Sequence, residues 1–191
     1  MNQPKQPTNT GALATLVIVF FFWGFIAASN SIFIPFCRTH FHLNQFQSQL
    51  IGSAFYGAYF AGSLALYLIS SILGYDILNK IGYKRGIIYG LFISVVGALA
   101  IIPSANANSF TFILVSFFVV ALGFSLQQTA AQPFAIALGD PSTGSHRLNL
   151  AGGVNSLGTT LGPIIVSFFL FGTANSAHVN VTVTNINNLY M

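Results

Sequence analysis

Apolar residues fall in five long uncharged runs along this chain, separated by short polar breaks. The runs lie at about 13–36, 48–73, 86–102, 110–138 and 148–172. Each approaches or exceeds the roughly 20 residues an α-helix needs to cross a bilayer core. Pro103 and the Ser/Ala/Asn run after it predict a tight turn between the third and fourth runs, and Asn108 and Ser109 are N-cap residues for the fourth. Residues 1–12 read as a polar tail. Residues 173–191 read as a polar loop that turns apolar at Leu189-Tyr190-Met191, as if a sixth helix were starting, so the chain is expected to be part of a longer one.

Charge sharpens this picture. Only 4% of the 191 residues are charged, against roughly 25% in a soluble domain. The charged residues are Lys5, Arg38, Asp76, Lys80, Lys84, Arg85, Asp140 and Arg147, all placed at or beyond the ends of the runs. A charge at a helix centre costs about 2.5–3.5 kcal/mol on insertion scales, and the sequence avoids that cost throughout. With the N-terminus in the cytoplasm, Lys5, Lys80, Lys84, Arg85 and Arg147 lie inside and only Arg38 lies outside, a strong positive-inside bias. The expected location is therefore the bacterial inner membrane. The few scattered cations give no nucleic-acid footprint, and the lone Cys37 excludes an intrachain disulfide.

Chemistry inside the runs is limited to neutral groups. His40, His42, His146 and His178 are expected in loops, and no run holds a carboxylate, imidazole, amine or thiol placed to act as base, nucleophile or metal ligand. An enzyme, a metal and a cofactor are not expected. The polar residues fall at helical spacing: Gly52, Tyr56, Tyr59, Ser63 and Tyr67 on the second run, Ser125, Gln128 and Gln132 on the fourth, and Gly152, Asn155, Thr159 and Gly162 on the fifth. Two readings stay open for each. One is interhelical hydrogen bonding, worth about 0.6 kcal/mol per bond. The other is the wall of a water-filled cavity, where amides and hydroxyls would meet a neutral polyhydroxy solute. Small residues (Gly24, Ala27, Ala28 and Ser31; Gly57 and Ala61) predict faces of close helix approach. The first and fourth runs also echo each other: Gly24-Phe25, a polar group and Pro35-Phe36 against Gly123-Phe124, a polar group and Pro133-Phe134, as in an inverted repeat.

Three stretches carry a resemblance. They are Lys80-Ile81-Gly82-Tyr83-Lys84-Arg85-Gly86, Gln128-Thr129-Ala130-Ala131-Gln132-Pro133, and Arg147-Leu148-Asn149-Leu150-Ala151 followed by Asn155-Ser156-Leu157-Gly158-Thr159-Thr160-Leu161-Gly162-Pro163. In them the chain resembles the amino-terminal half of the major facilitator superfamily, and within it the fucose permease and glucose/galactose transporter family. The resemblance implies a helical bundle of five transmembrane helices from a six-helix half, carrying a hexose or deoxyhexose by alternating access. It implies Asn30, Ser31, Gln128, Gln132 and Asn155 as polar contacts to sugar, with Trp23, Tyr56 and Tyr59 as aromatic walls. Lys80, Gly82, Lys84 and Arg85 would form a cytoplasmic gating loop. Where the family commonly has Asn-Asp on the first helix this chain has Asn30-Ser31, and where fucose permease has an acid on the fourth it has Gln128. A Gln common on the fifth helix is Gly152. These losses put proton coupling in doubt and leave coupling to another ion or to groups elsewhere. The bilayer is the one partner besides sugar. Carriage of another small polar solute, or a scaffold or receptor that transports nothing, remain the alternatives.

Overall fold

The computed structural model describes residues 6–107 and 109–171. Lys5, the cap residue Asn108 and the loop expected at 173–191, with His178, lie outside these. Helix α1 spans Thr10–His40 and starts on Asn9, whose side chain accepts from the Ala12 amide. Helix α2, Gln45–Leu73, opens with a reciprocal capping box between Asn44 and Gln47, satisfying two amides that a helix start leaves unpaired. It closes on Gly74 at φ 69°.

A short helix that periodicity could not signal, α3 (Ile77–Ile81), follows on the Asp76 cap. Gly82 at φ 91° makes the tight turn expected of it, because left-handed backbone suits a residue without Cβ. Helices α4 (Tyr83–Asn106), α5 (Phe110–Ala137) and α6 (Gly144–Phe171) complete the chain, with a 3-10 turn at Pro141–Thr143 before α6. Ser109 caps α5 as expected.

Two local expectations need correcting. Pro103 lies inside α4, not in a turn. Its missing N–H and ring break one rung of the helix, but the Ala107 amide still bonds the Pro103 carbonyl and Ser104 Oγ bonds that of Ala100, so the last turn holds. His40 and His146 lie in terminal helical turns, not in loops.

Among the described residues, four helices are long and apolar enough to cross a membrane: α1, α2, α4 and α5. Helix α6 covers the fifth expected run and has the length, at 28 residues, so a long helix lies over each of the five expected runs.

The bundle is held by two tight pairs, α4 with α5 and α1 with α6, and α2 leans on α5. Close approach explains the pairs. A Cβ on Gly158 would run into the Phe21 carbonyl, and one on Gly123 into Ser94 Oγ and the Gly90 carbonyl. The face expected at Gly57 and Ala61 does not pack. Gly57 has open space around it, and Gly62, five residues on, is the position pressed against Ser125. Large apolar side chains such as Phe60, Phe92 and Phe169 point outward, as lipid-facing positions do.

Candidate functional site

Helix α5 carries adjacent glutamines, and the fold separates them. Gln127 is fully buried. Its Oε1 accepts from Trp23 Nε1 of α1 at 2.8 Å, and its Nε2 donates to Ser94 Oγ of α4 at 2.8 Å. Ser94 in turn donates to the Val120 carbonyl at 3.1 Å. An indole can only donate, so the amide orientation is fixed and both ends are used. Gln127 and Ser94 escaped the sequence reading. The only available signal was the doubled Gln127-Gln128 step, which puts two amides on different faces of one helix.

Gln128, turned ~100° around the helix, faces α2. Tyr59 donates its hydroxyl to Gln128 Oε1 at 2.7 Å. Both side chains are half-buried. Asn155 of α6 is also half-buried and donates Nδ2 to the Phe20 carbonyl of α1 at 2.9 Å. Phe20 lies one turn from Trp23, so a single turn of α1 takes a bond from α6 and gives one to α5. Thr159 Oγ1 bonds the Asn155 carbonyl, and Gly162 abuts the Phe25 carbonyl. Much of the polar face expected on α6 therefore packs on α1, while Gly152 stands in open space.

The remaining expected residues divide. Ser31, Tyr56 and Gln132 are exposed, Tyr56 by 62%, and Ser31 spends its hydroxyl on the Ala28 carbonyl. Trp23 and Asn30 are buried and line a different feature, an apolar groove of about 480 Å³ between α1, α4 and α5, with Phe25, Leu91, Val95 and Phe117 in its walls. Asn30 Nδ2 is buried there with no partner among the described residues. A smaller pocket, lined by Gly11, Thr15, Lys84 and Phe134, shares Val19 and Leu91 with it. The stretch expected as a loop is mostly helical: Lys80 lies in α3 and Lys84 and Arg85 in the first turn of α4, with only Gly82 between the two helices. Lys80 Nζ lies 4.6 Å from the Tyr75 ring centroid, and Lys84 and Arg85 are exposed. No three metal-ligating side chains cluster among the described residues. The Tyr59, Gln128 and Asn155 groups can hold a neutral hydroxylated molecule by donating to it and accepting from it. They offer nothing that exchanges a proton readily near neutrality.

Comparison with known proteins decides the family. The Major Facilitator Superfamily profile matches residues 13–184. The chain belongs to the Major Facilitator Superfamily. Among members of the superfamily, it is similar to the glucose/galactose transporter of Brucella abortus biovar 1 (strain 9-941), 39% identical over 169 residues that cover 88% of this chain and 39% of that one. It is equally similar, at 39% identity over 148 residues, to the L-fucose-proton symporter of Escherichia coli (strain K12), covering 78% of this chain and 32% of the symporter. A crystal structure of the E. coli fucose:proton symporter superposes with a TM-score of 0.63 at 34% identity, over 83% of this chain and 36% of that one. The chain thus spans 39% or less of the length of each of these two curated relatives. The doubt about proton coupling is not borne out, because a relative this similar is named a proton symporter.

Proposed function

We propose that this chain is part of a sugar carrier of the bacterial inner membrane, working by alternating access on a neutral hexose or deoxyhexose. The observation that carries the reading is the Tyr59–Gln128 pair between α2 and α5. Its amide oxygen already accepts one bond from Tyr59, and both side chains are half-buried, which leaves bonding capacity on the amide. Asn155 is the complement. One of its two N–H donors goes to Phe20, which leaves the other N–H and Oδ1 for hydroxyls. A sugar hydroxyl both donates and accepts, so it suits such a pair, whereas an ion would find no counter-charge. Gln132, Ser31 and Tyr56 extend the same polar surface. Trp23 and Asn30 stand behind it, in the groove. The similarity to proteins named for glucose, galactose and fucose supports the substrate class, and the symporter relative supports proton coupling through groups outside these helices. The N-terminus is cytoplasmic on this reading, with Lys80 of α3, the Gly82 turn and Lys84 and Arg85 of α4 at the inner side, where they help gate it.

The test is uptake of labelled L-fucose, glucose and galactose by the full-length protein in proteoliposomes, with and without an imposed pH gradient. Saturable uptake of one of them, accelerated by the gradient, is expected. Uptake of none of these sugars, alongside uptake of another small polar solute, would keep the carrier and refute the sugar. A scaffold predicts no uptake of any solute.

A further inference from the structure

Among the described residues, Arg147 is the one cation that the fold buries. It is 4% exposed and lies in the first turn of α6, yet its bonds run mostly to α5 and the turn between the helices. Nε donates to the Ala135 carbonyl at 2.8 Å, and Nη2 to the Ile136 carbonyl at 2.6 Å and the Asp140 carbonyl at 3.0 Å. Nη1 donates to Thr143 Oγ1 at 2.8 Å. Ala135 and Ile136 belong to the last turn of α5, whose carbonyls have no partner inside the helix. The Asn9 amide takes the next free carbonyl but one, that of Leu138, at 2.8 Å, and Gly139 admits Thr8 and Arg147 side by side. A cation in the first turn of a helix is unfavourable for that helix and favourable at the C-terminus of its neighbour. The residue therefore serves α5 at the expense of α6.

The position matters because α5 and α6 meet directly over only a short stretch. Gln128 is seven residues before Ala135, and Asn155 is eight residues after Arg147. At 1.5 Å per residue these are about 10.5 and 12 Å of helix, so the two amides stand at nearly the same height above the corner. We propose that Arg147 is a positioning residue for the sugar site, its guanidinium fork fixing the axial register of α5 against α6 so that Gln128 and Asn155 stay level. The inference rests on the sugar-site reading above. Lysine has the charge and a similar stem but offers one point of donation instead of a planar fork, so it cannot hold the three carbonyls together.

The experiment uses the full-length protein with spin labels at Thr129→Cys and Ser156→Cys, both exposed positions next to the two amides. Cys37 is buried, and any reactive cysteine outside this chain is replaced beforehand. The label-to-label distance and hexose affinity are measured for Arg147→Lys and Arg147→Gln. In Arg147→Lys the distance is expected to shift or broaden by about one residue's rise, ~1.5 Å. Affinity should fall about tenfold, since a site misplaced by more than ~0.5 Å loses its fit, while the maximal transport rate changes less. Arg147→Gln should show both effects more strongly. A Lys variant with native distance and native affinity overturns the proposal, as does a shifted distance with unchanged affinity. If the unsubstituted protein binds no hexose, the sugar reading fails by itself. The register claim is then judged on the distance, an unmoved label pair in both variants refuting it.

Discussion

Gln127 and Gln128 are the same residue one step apart on one helix, and they do different work. Gln127 is sealed between α1, α4 and α5 with both amide ends bonded, to Trp23 and Ser94. Gln128 is half-buried and bonded at one end, to Tyr59. An amide bonded at both ends and fully buried is held by its partners, and breaking it strands them in an apolar core. A half-paired amide at an opening is already oriented and still has bonding capacity, which is what recognition of a neutral solute needs. Chemistry that looks identical in the sequence is thus divided by satisfaction: the saturated group builds the bundle, and the unsaturated one serves the site. Asn155 lies on the site's side of this divide, whereas Asn30 fits neither side cleanly, buried but with Nδ2 unpaired in the groove.

The largest effect that would test this division is at Gln127. Gln127→Leu strands the Trp23 indole N–H in the core, and an unfolding midpoint in detergent should report a loss of about 2 kcal/mol. Hexose affinity per folded molecule should stay close to native. Gln128→Leu should do the opposite. Stability should move by about 0.5 kcal/mol, the scale of one interhelical bond in a membrane protein, while equilibrium binding weakens about tenfold, or ~1.4 kcal/mol. The smallest change is Tyr59→Phe, which frees the Gln128 carbonyl without removing its donor. Its binding isotherm should weaken about threefold, close to the ~0.6 kcal/mol of such a bond. An unchanged isotherm would mean that Gln128 needs no partner to be oriented.

The helices were legible because lipid exacts a cost for every charge, and the eight charged residues mark the gaps between spans. Caps and turns were legible where local chemistry decides them, as at Ser109 and Gly82. The facing of each residue was not. In a soluble helix the polar face is the exposed face, but here the outside is as apolar as the core, so periodicity finds a stripe without saying what it meets. That is why Gly57 and Ala61 passed for a packing face when Gly62 is the one that packs, and why the bond from the Trp23 indole to Gln127 was not foreseen. It is also why two readings stayed open for the stripe of Asn155, Thr159 and Gly162, which lies largely against α1. Helix α3, five residues long, is too short to carry a period at all. Arg147 was visible as a cation at the cytoplasmic end of the fifth run, but its bonds to α5 carbonyls depend on a corner that only the fold creates.

The most direct test of this account is to compare Gln127→Leu and Gln128→Leu in the full-length protein, measuring equilibrium binding of labelled hexose normalised to folded protein. The account predicts near-native affinity for Gln127→Leu and about tenfold weaker binding for Gln128→Leu, ~1.4 kcal/mol apart. Equal affinities in the two variants, or a weaker Gln127→Leu, would contradict it and move the site to the other face of α5.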